Sequence, residues 1–99
     1  MNIEKSFENG KLTIKVEGRL DAITAPELEK VLDESLDITV RELIWEFSNL
    51  VYISSAGLRV ILKAQKQMKH QGDMKIVNAS RIIRGVFEMV GFDIFVNIK

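Results

Sequence analysis

Between Leu50 and Leu62 the hydrophobic period of this chain changes once, and abruptly. Leu50-Val51-Tyr52-Ile53 finishes an apolar strand. Ala56 to Leu62 runs at helical spacing, and Ser54 and Ser55 stand at the switch. Few architectures accept a strand that feeds straight into an amphipathic helix. When the pattern recurs, strands alternate with helices and pair in parallel through right-handed crossovers.

The pattern does recur. Ile3 to Phe7 reads as a short edge strand, and Asn9-Gly10 is a two-residue hairpin signal, because both residues tolerate positive φ. Leu12, Ile14 and Val16 then alternate with Thr13, Lys15 and Glu17, as in a half-buried strand. Gly18-Arg19-Leu20-Asp21 breaks it. Thr24-Ala25-Pro26-Glu27 opens a helix, with Thr24 and Glu27 spaced as a capping box and Pro26 in the first turn. Leu28, Val31, Leu32 and Leu36 give it an apolar side, and Glu27, Glu29, Asp33, Glu34 and Asp37 an acidic one.

The next strand runs from Glu42 to Ser48. Leu43, Trp45 and Phe47 share one face, which places Trp45 in the core. The long helix is expected over about residues 55 to 70, with Leu58, Ile61, Leu62, Gln65 and Met68 inward and Arg59, Lys63, Lys66 and His70 outward. Gly72 stops it. Met74 to Val77 forms another strand. Ser80 caps a third helix, with Ile82, Ile83, Val86, Phe87 and Val90 on one face and Gly91 at its end. Ile94 to Ile98 is a last strand or an apolar tail on the sheet.

The expected fold is therefore α/β. It has a small mixed, mostly parallel sheet of about four or five strands. Each strand has one polar side, unlike a sheet covered on both faces, so the helices lie mainly on one face. At 99 residues the chain is expected to be a single domain over 1–99. Strand order is not encoded in these patterns.

Composition narrows the function classes. Formal net charge is zero, which gives no overall pull toward nucleic acid or an anionic membrane. Cysteine is absent and His70 is the only histidine, so neither disulfides nor a thiolate or histidine metal cluster is expected. No apolar run approaches the ~20 residues of a membrane span, and the start of the chain is unlike a signal peptide. The expectation is a cytoplasmic domain without cofactor.

No enzyme constellation stands out. A serine hydrolase needs a histidine base and an acid, and His70 lies on a polar helix stripe. Gly57-Leu58-Arg59 lacks the glycine spacing of a phosphate loop. Glu17 and Asp21 flank the first strand-to-helix loop and read most simply as solvated turn residues. The basic stripe Arg59, Lys63, Lys66 reads as a solvated face, with an acidic partner surface as the alternative. The turn itself leaves two accounts open. A serine caps the helix in either. Ala56 and Gly57 leave the backbone bare, either for close approach of another protein or an anion, or for packing within the domain.

Tyr52-Ile53-Ser54-Ser55-Ala56-Gly57-Leu58-Arg59-Val60 resembles the signature of the STAS domain, the family of bacterial anti-sigma factor antagonists. Gly18-Arg19-Leu20-Asp21 with Thr24-Ala25 is similar to that family's first strand–helix junction. Val90-Gly91-Phe92 is similar to its C-terminal pattern. The resemblance covers nearly the whole chain.

It implies a binding protein, not an enzyme. The antagonist occupies an anti-sigma factor, often a serine kinase, and a sigma factor is released. Phosphorylation of a serine at the helix start breaks the complex. The resemblance places the partner surface at Asp21, Ser54, Ser55, Ala56, Gly57 and Arg59, with no direct nucleic-acid contact and no membrane insertion. The family motif reads Asp-Ser-Ser-Gly-Leu, and its second serine is the acceptor. Aligned on Gly57-Leu58, that serine is Ala56 here, and Ser54 stands in place of the aspartate. Ser55 is then the candidate phosphoacceptor, or the protein is not switched in this way. An accessory subunit of an ABC-type membrane transport complex is the alternative function.

Overall fold

The structure is a computed structural model that describes residues 1–91 and the backbone strand at 97–98. Its elements follow in chain order: β1 (Asn2–Glu8), β2 (Lys11–Leu20), α1 (Ala25–Ser35), β3 (Glu42–Glu46), β4 (Leu50–Ile53), α2 (Ser55–Met68), β5 (Asp73–Val77), α3 (Arg81–Met89) and β6 (Asn97–Ile98). They build a six-stranded sheet in the order β1-β2-β3-β5-β6, with β4 paired to β2. Among the described strand pairs only the β1–β2 hairpin is antiparallel. Asn9 and Gly10 turn it with positive φ at both positions, as a tight two-residue hairpin requires.

One face of the sheet is buried. Leu12, Ile14 and Val16 of β2, Leu43 and Trp45 of β3 with Phe47 just beyond it, and Met74 and Ile76 of β5 form one core with residues from all three helices. The opposite face carries Thr13, Lys15, Glu17, Glu42, Glu46 and Lys75, half-buried, and Lys75 Nζ stands 2.7 Å from Glu42. Period-two alternation therefore gave the layering correctly. Trp45 is fully buried and donates its indole N–H to Met74 Sδ at 3.3 Å. Phe47 stacks on Phe87, with centroids 6.2 Å apart, and this contact anchors α3.

Several local expectations need correction. The strand expected over Glu42 to Ser48 ends at Glu46, and the apolar stretch Leu50–Ile53 is a strand of its own. They lie along the same edge of β2, but the register moves from Lys15↔Glu46 to Gly18↔Leu50 and Arg19↔Tyr52. Gly18 takes φ +96, which a side-chain-bearing residue rarely adopts, and its N–H donates to Asn49 O at 2.9 Å. Ser48 N–H donates to Glu46 Oε1 at 2.6 Å, so the interruption keeps its polar groups satisfied.

The capping box at Thr24 does not form. Thr24 Oγ1 donates to Arg19 O at 2.8 Å and accepts from Asp21 N–H at 2.9 Å. The turn before α1 is held by Asp21 instead.

In α2, Val60 and Ala64 are buried beside Ile61 and Met68, whereas Leu58 and Leu62 are only half-buried. The buried stripe is rotated because α1 packs on the flank of α2. In α3 only Ile83 and Phe87 are buried; Ile82 and Val90 are 77% and 55% exposed. At about 100° per residue, a helix resting on the sheet along one narrow line buries positions four apart and leaves their neighbours out. Of the expected final segment, residues 94–96 lie outside the described residues, as does Phe92. Asn97–Ile98 pairs in parallel with β5.

Candidate functional site

Parallel pairing brings two loops together at one end of the sheet. Arg19 pairs with Tyr52 and Leu20 with Ile53, and Ser54 N–H donates to Leu20 O at 2.9 Å. The strands β2 and β4 therefore end side by side. The loop to α1 and the turn into α2 leave from adjacent points, and both helices begin there. Open α/β sheets commonly place binding sites at the carboxyl ends of their parallel strands.

Ser54 is the N-cap of α2. Its backbone is extended and its Oγ accepts from Gly57 N–H at 3.4 Å. Ser55 follows as the first helical residue and is exposed. Ala56 is half-buried, and Arg59, one turn on, is exposed. Gly57 is buried, contrary to its expected place on a partner surface. A Cβ there would stand 2.6 Å from Leu20 Cγ and 3.0 Å from Ile53 Cγ1. Of the two accounts left open for this glycine, internal packing is the one realised.

Asp21 belongs to the same end of the sheet but is occupied internally. Its Oδ1 accepts from Ile23 N–H at 3.0 Å and Thr24 N–H at 3.1 Å. Arg19 Nε lies 3.8 Å from Oδ2. The Thr24 N–H above all, then the Ile23 N–H, the Thr24 hydroxyl and the Arg19 charge, hold its carboxyl below the usual carboxylate range. Asp21 thus positions the loop that stands next to Ser54, and it is more than a solvated turn residue. Glu17 is also engaged, accepting from Asn2 Nδ2 and Asn49 Nδ2 at 2.9 Å each.

The surface includes residues that the sequence patterns did not single out. Ile23, at the tip of the Asp21–Thr24 loop, is 87% exposed. Val51 and Tyr52 of β4 are exposed as well, and the Arg19 guanidinium lies 4.2 Å from the centre of the Tyr52 ring. A large apolar residue inside an Asp-Ala-Ile-Thr turn was the available signal for Ile23. Tyr52 carries no such signal, because its place follows from the shift of register along β2 between Glu46 and Leu50.

The basic stripe of α2 is not uniformly solvated. Lys63 Nζ reaches Asp33 at 3.0 Å and Glu29 at 3.2 Å, across to α1. The Asp33 hydrogen bond and then the Glu29 one raise its pKa above the ordinary value. Among the described residues no group of three or more His, Cys, Asp or Glu is placed to hold a metal ion, and no helix is long and apolar enough to cross a membrane.

Comparison with known proteins agrees with this architecture. The chain is 35% identical over 85 residues to BtrV of Bordetella bronchiseptica, named as a candidate anti-sigma factor antagonist, covering 85% of this chain and 73% of that protein. It is 30% identical over 92 residues to an anti-sigma-B factor antagonist of Staphylococcus aureus, covering 92% of this chain and 85% of that one. Among solved structures, an anti-sigma factor antagonist from Mycobacterium paratuberculosis superposes with a TM-score of 0.89 at 18% identity, over 98% of this chain and 83% of that one. Unphosphorylated SpoIIAA superposes with a TM-score of 0.84 at 19% identity, over 99% and 88%. The model of the STAS domain matches residues 2–99, and the chain belongs to that family.

Proposed function

We propose that this chain is an anti-sigma factor antagonist, which binds an anti-sigma factor and thereby frees a sigma factor. The reading is supported by the family and by the names of the relatives above. The observation that carries it is the exposed start of α2. Ser55 and Arg59 face outward there, and Ile23, Val51 and Tyr52 add apolar surface at the same end of the sheet. Such a surface, with apolar and aromatic groups beside an arginine, has the composition of a protein interface. The chain acts by occupying its partner and catalyses no reaction of its own.

Phosphoryl control, if this chain has it, falls on Ser55. Ala56 has no hydroxyl, and the Ser54 hydroxyl serves as the cap. Ser55 is exposed at the first position of α2. A phosphoryl group there would sit at the positive end of the helix, which the fold tolerates. It would also add about −1.5 to −2 charges to the docking surface. A serine-kinase anti-sigma factor is the partner that could place it.

The test is titration of the purified chain with the anti-sigma factors of its own organism by calorimetry. Wild type should form a specific complex, and Ser55→Asp or Ala56→Asp should weaken it while the circular dichroism spectrum stays unchanged. Mass spectrometry after incubation with the partner and ATP should find any phosphate on Ser55. Unchanged affinity in both variants would refute the helix-start interface. Copurification from native cells with an ATP-binding transport subunit, and with no anti-sigma factor, would replace the function altogether.

A further inference from the structure

Between the start of α1 and the first two turns of α2 lies a groove of about 320 Å³. Its floor is aliphatic and small: Ala22, Ala25, Ala56 and Val60. Its polar walls are Glu29 and Arg59. These two charges are in different situations. Glu29 has a cationic partner, Lys63, which it shares with Asp33. Arg59, one turn before Lys63 on the same helix, is exposed and forms no ion pair among the described residues. It lies toward the amino end of α2, where the helix dipole gives a cation no support. Nothing in the packing of α1 on α2 uses its charge.

The groove is therefore an apolar floor beside one guanidinium without an ion partner, and its lining residue Ala22 is followed in the chain by the exposed Ile23. A phosphate site would gather several converging donors. Here a single guanidinium stands beside four aliphatic side chains, which suits a carboxylate carried on a polypeptide with an apolar neighbour. We infer that the groove receives an acidic side chain, together with an adjacent apolar one, from the anti-sigma factor. The inference rests on the docking function proposed above and adds to it the chemistry of the partner and a second contact region on α1.

The test uses the full chain and the anti-sigma factor that binds wild type. Arg59→Glu, Ala22→Glu and the control Lys66→Glu are compared by calorimetry at low and moderate salt. All three positions are exposed, so the fold should survive, and circular dichroism checks this. Arg59→Glu and Ala22→Glu should each weaken binding about tenfold or more at low salt, and Arg59→Lys should retain most of it. Lys66→Glu carries the same change of charge two turns away and should alter affinity less than about twofold. Amide shifts are also followed on titration with inorganic phosphate and with ATP.

If Arg59→Glu and Ala22→Glu bind like wild type while Ser55→Asp does not, the groove inference is overturned and the docking function stands. If wild type binds no anti-sigma factor, both fall. Saturable shifts at Ala22 and Ala56 with phosphate or ATP, and none with the anti-sigma factor, would assign the groove to a small anion and overturn the inference.

Discussion

Gly57 lies so close to Leu20 that a Cβ on the glycine would stand 2.6 Å from Leu20 Cγ. This approach lets the first turn of α2 settle onto the ends of β2 and β4, and so fixes where Ser55 and Arg59 emerge. Two effects compete in Gly57→Ala. Helix propensity favours alanine by about 1 kcal/mol. Overpacking a fully buried leucine at its branch point costs about 1–3 kcal/mol. Because Leu20 is completely enclosed, the clash should win, and urea denaturation should show a lower midpoint. A variant more stable than wild type would mean that Leu20 can yield.

Ser54 should contribute to stability rather than to partner contact. Its cap hydrogen bond is long, at 3.4 Å. Ser54→Ala should therefore cost near the low end of the usual range, about 0.5–1 kcal/mol. Ser54→Asp keeps an acceptor and adds a negative charge at the positive end of α2, so it should be neutral or stabilising by about 0.3–1 kcal/mol. Chemical denaturation at low salt distinguishes the two. A strongly destabilised Ser54→Asp would show that the cap is not what the side chain supplies.

Asp21 predicts a dependence on pH. Its carboxyl titrates below the usual range in the fold, chiefly through the Thr24 N–H, so the folded state holds the anion better than the unfolded state does. That contribution is present above the unfolded pKa and is lost as the pH falls through the folded one. Glu17, lowered first by Asn2 and then by Asn49, acts in the same direction. Thermal stability should drop as the pH falls below about 4. Asp21→Asn keeps an acceptor for the loop but loses the charge. It should be less stable than wild type at pH 7, and the gap should close in acid. A gap of constant size across this range would rule out the charge as the cause.

On α3, neighbouring residues should respond very differently. Phe87 is fully buried against Phe47, so Phe87→Ala should cost about 3–5 kcal/mol. Ile82 is 77% exposed, and Ile82→Ala should change stability by no more than about 0.5 kcal/mol. Denaturation midpoints of the two variants measure this directly. Similar losses at both positions would mean that α3 sits on the sheet with a different face.

Local chemistry was legible in the sequence. Asn9-Gly10 could turn a hairpin, Ser54 and Ser80 could cap helices, and alternation through Leu12, Ile14 and Val16 could bury only one side of a strand. Each of these depends on a side chain and a backbone a few residues apart, so the chain carries the information wherever it folds. Only the tertiary structure decided that Gly57 faces Leu20, that Asp21 rather than Thr24 holds the turn before α1, and that the strand before α2 breaks at Ser48-Asn49. It alone decided that Lys63 pairs with α1 while Arg59 does not, and that three alanines and Val60 meet to form a groove. These outcomes depend on which atoms stand opposite a residue, and packing brings those partners from elsewhere in the chain.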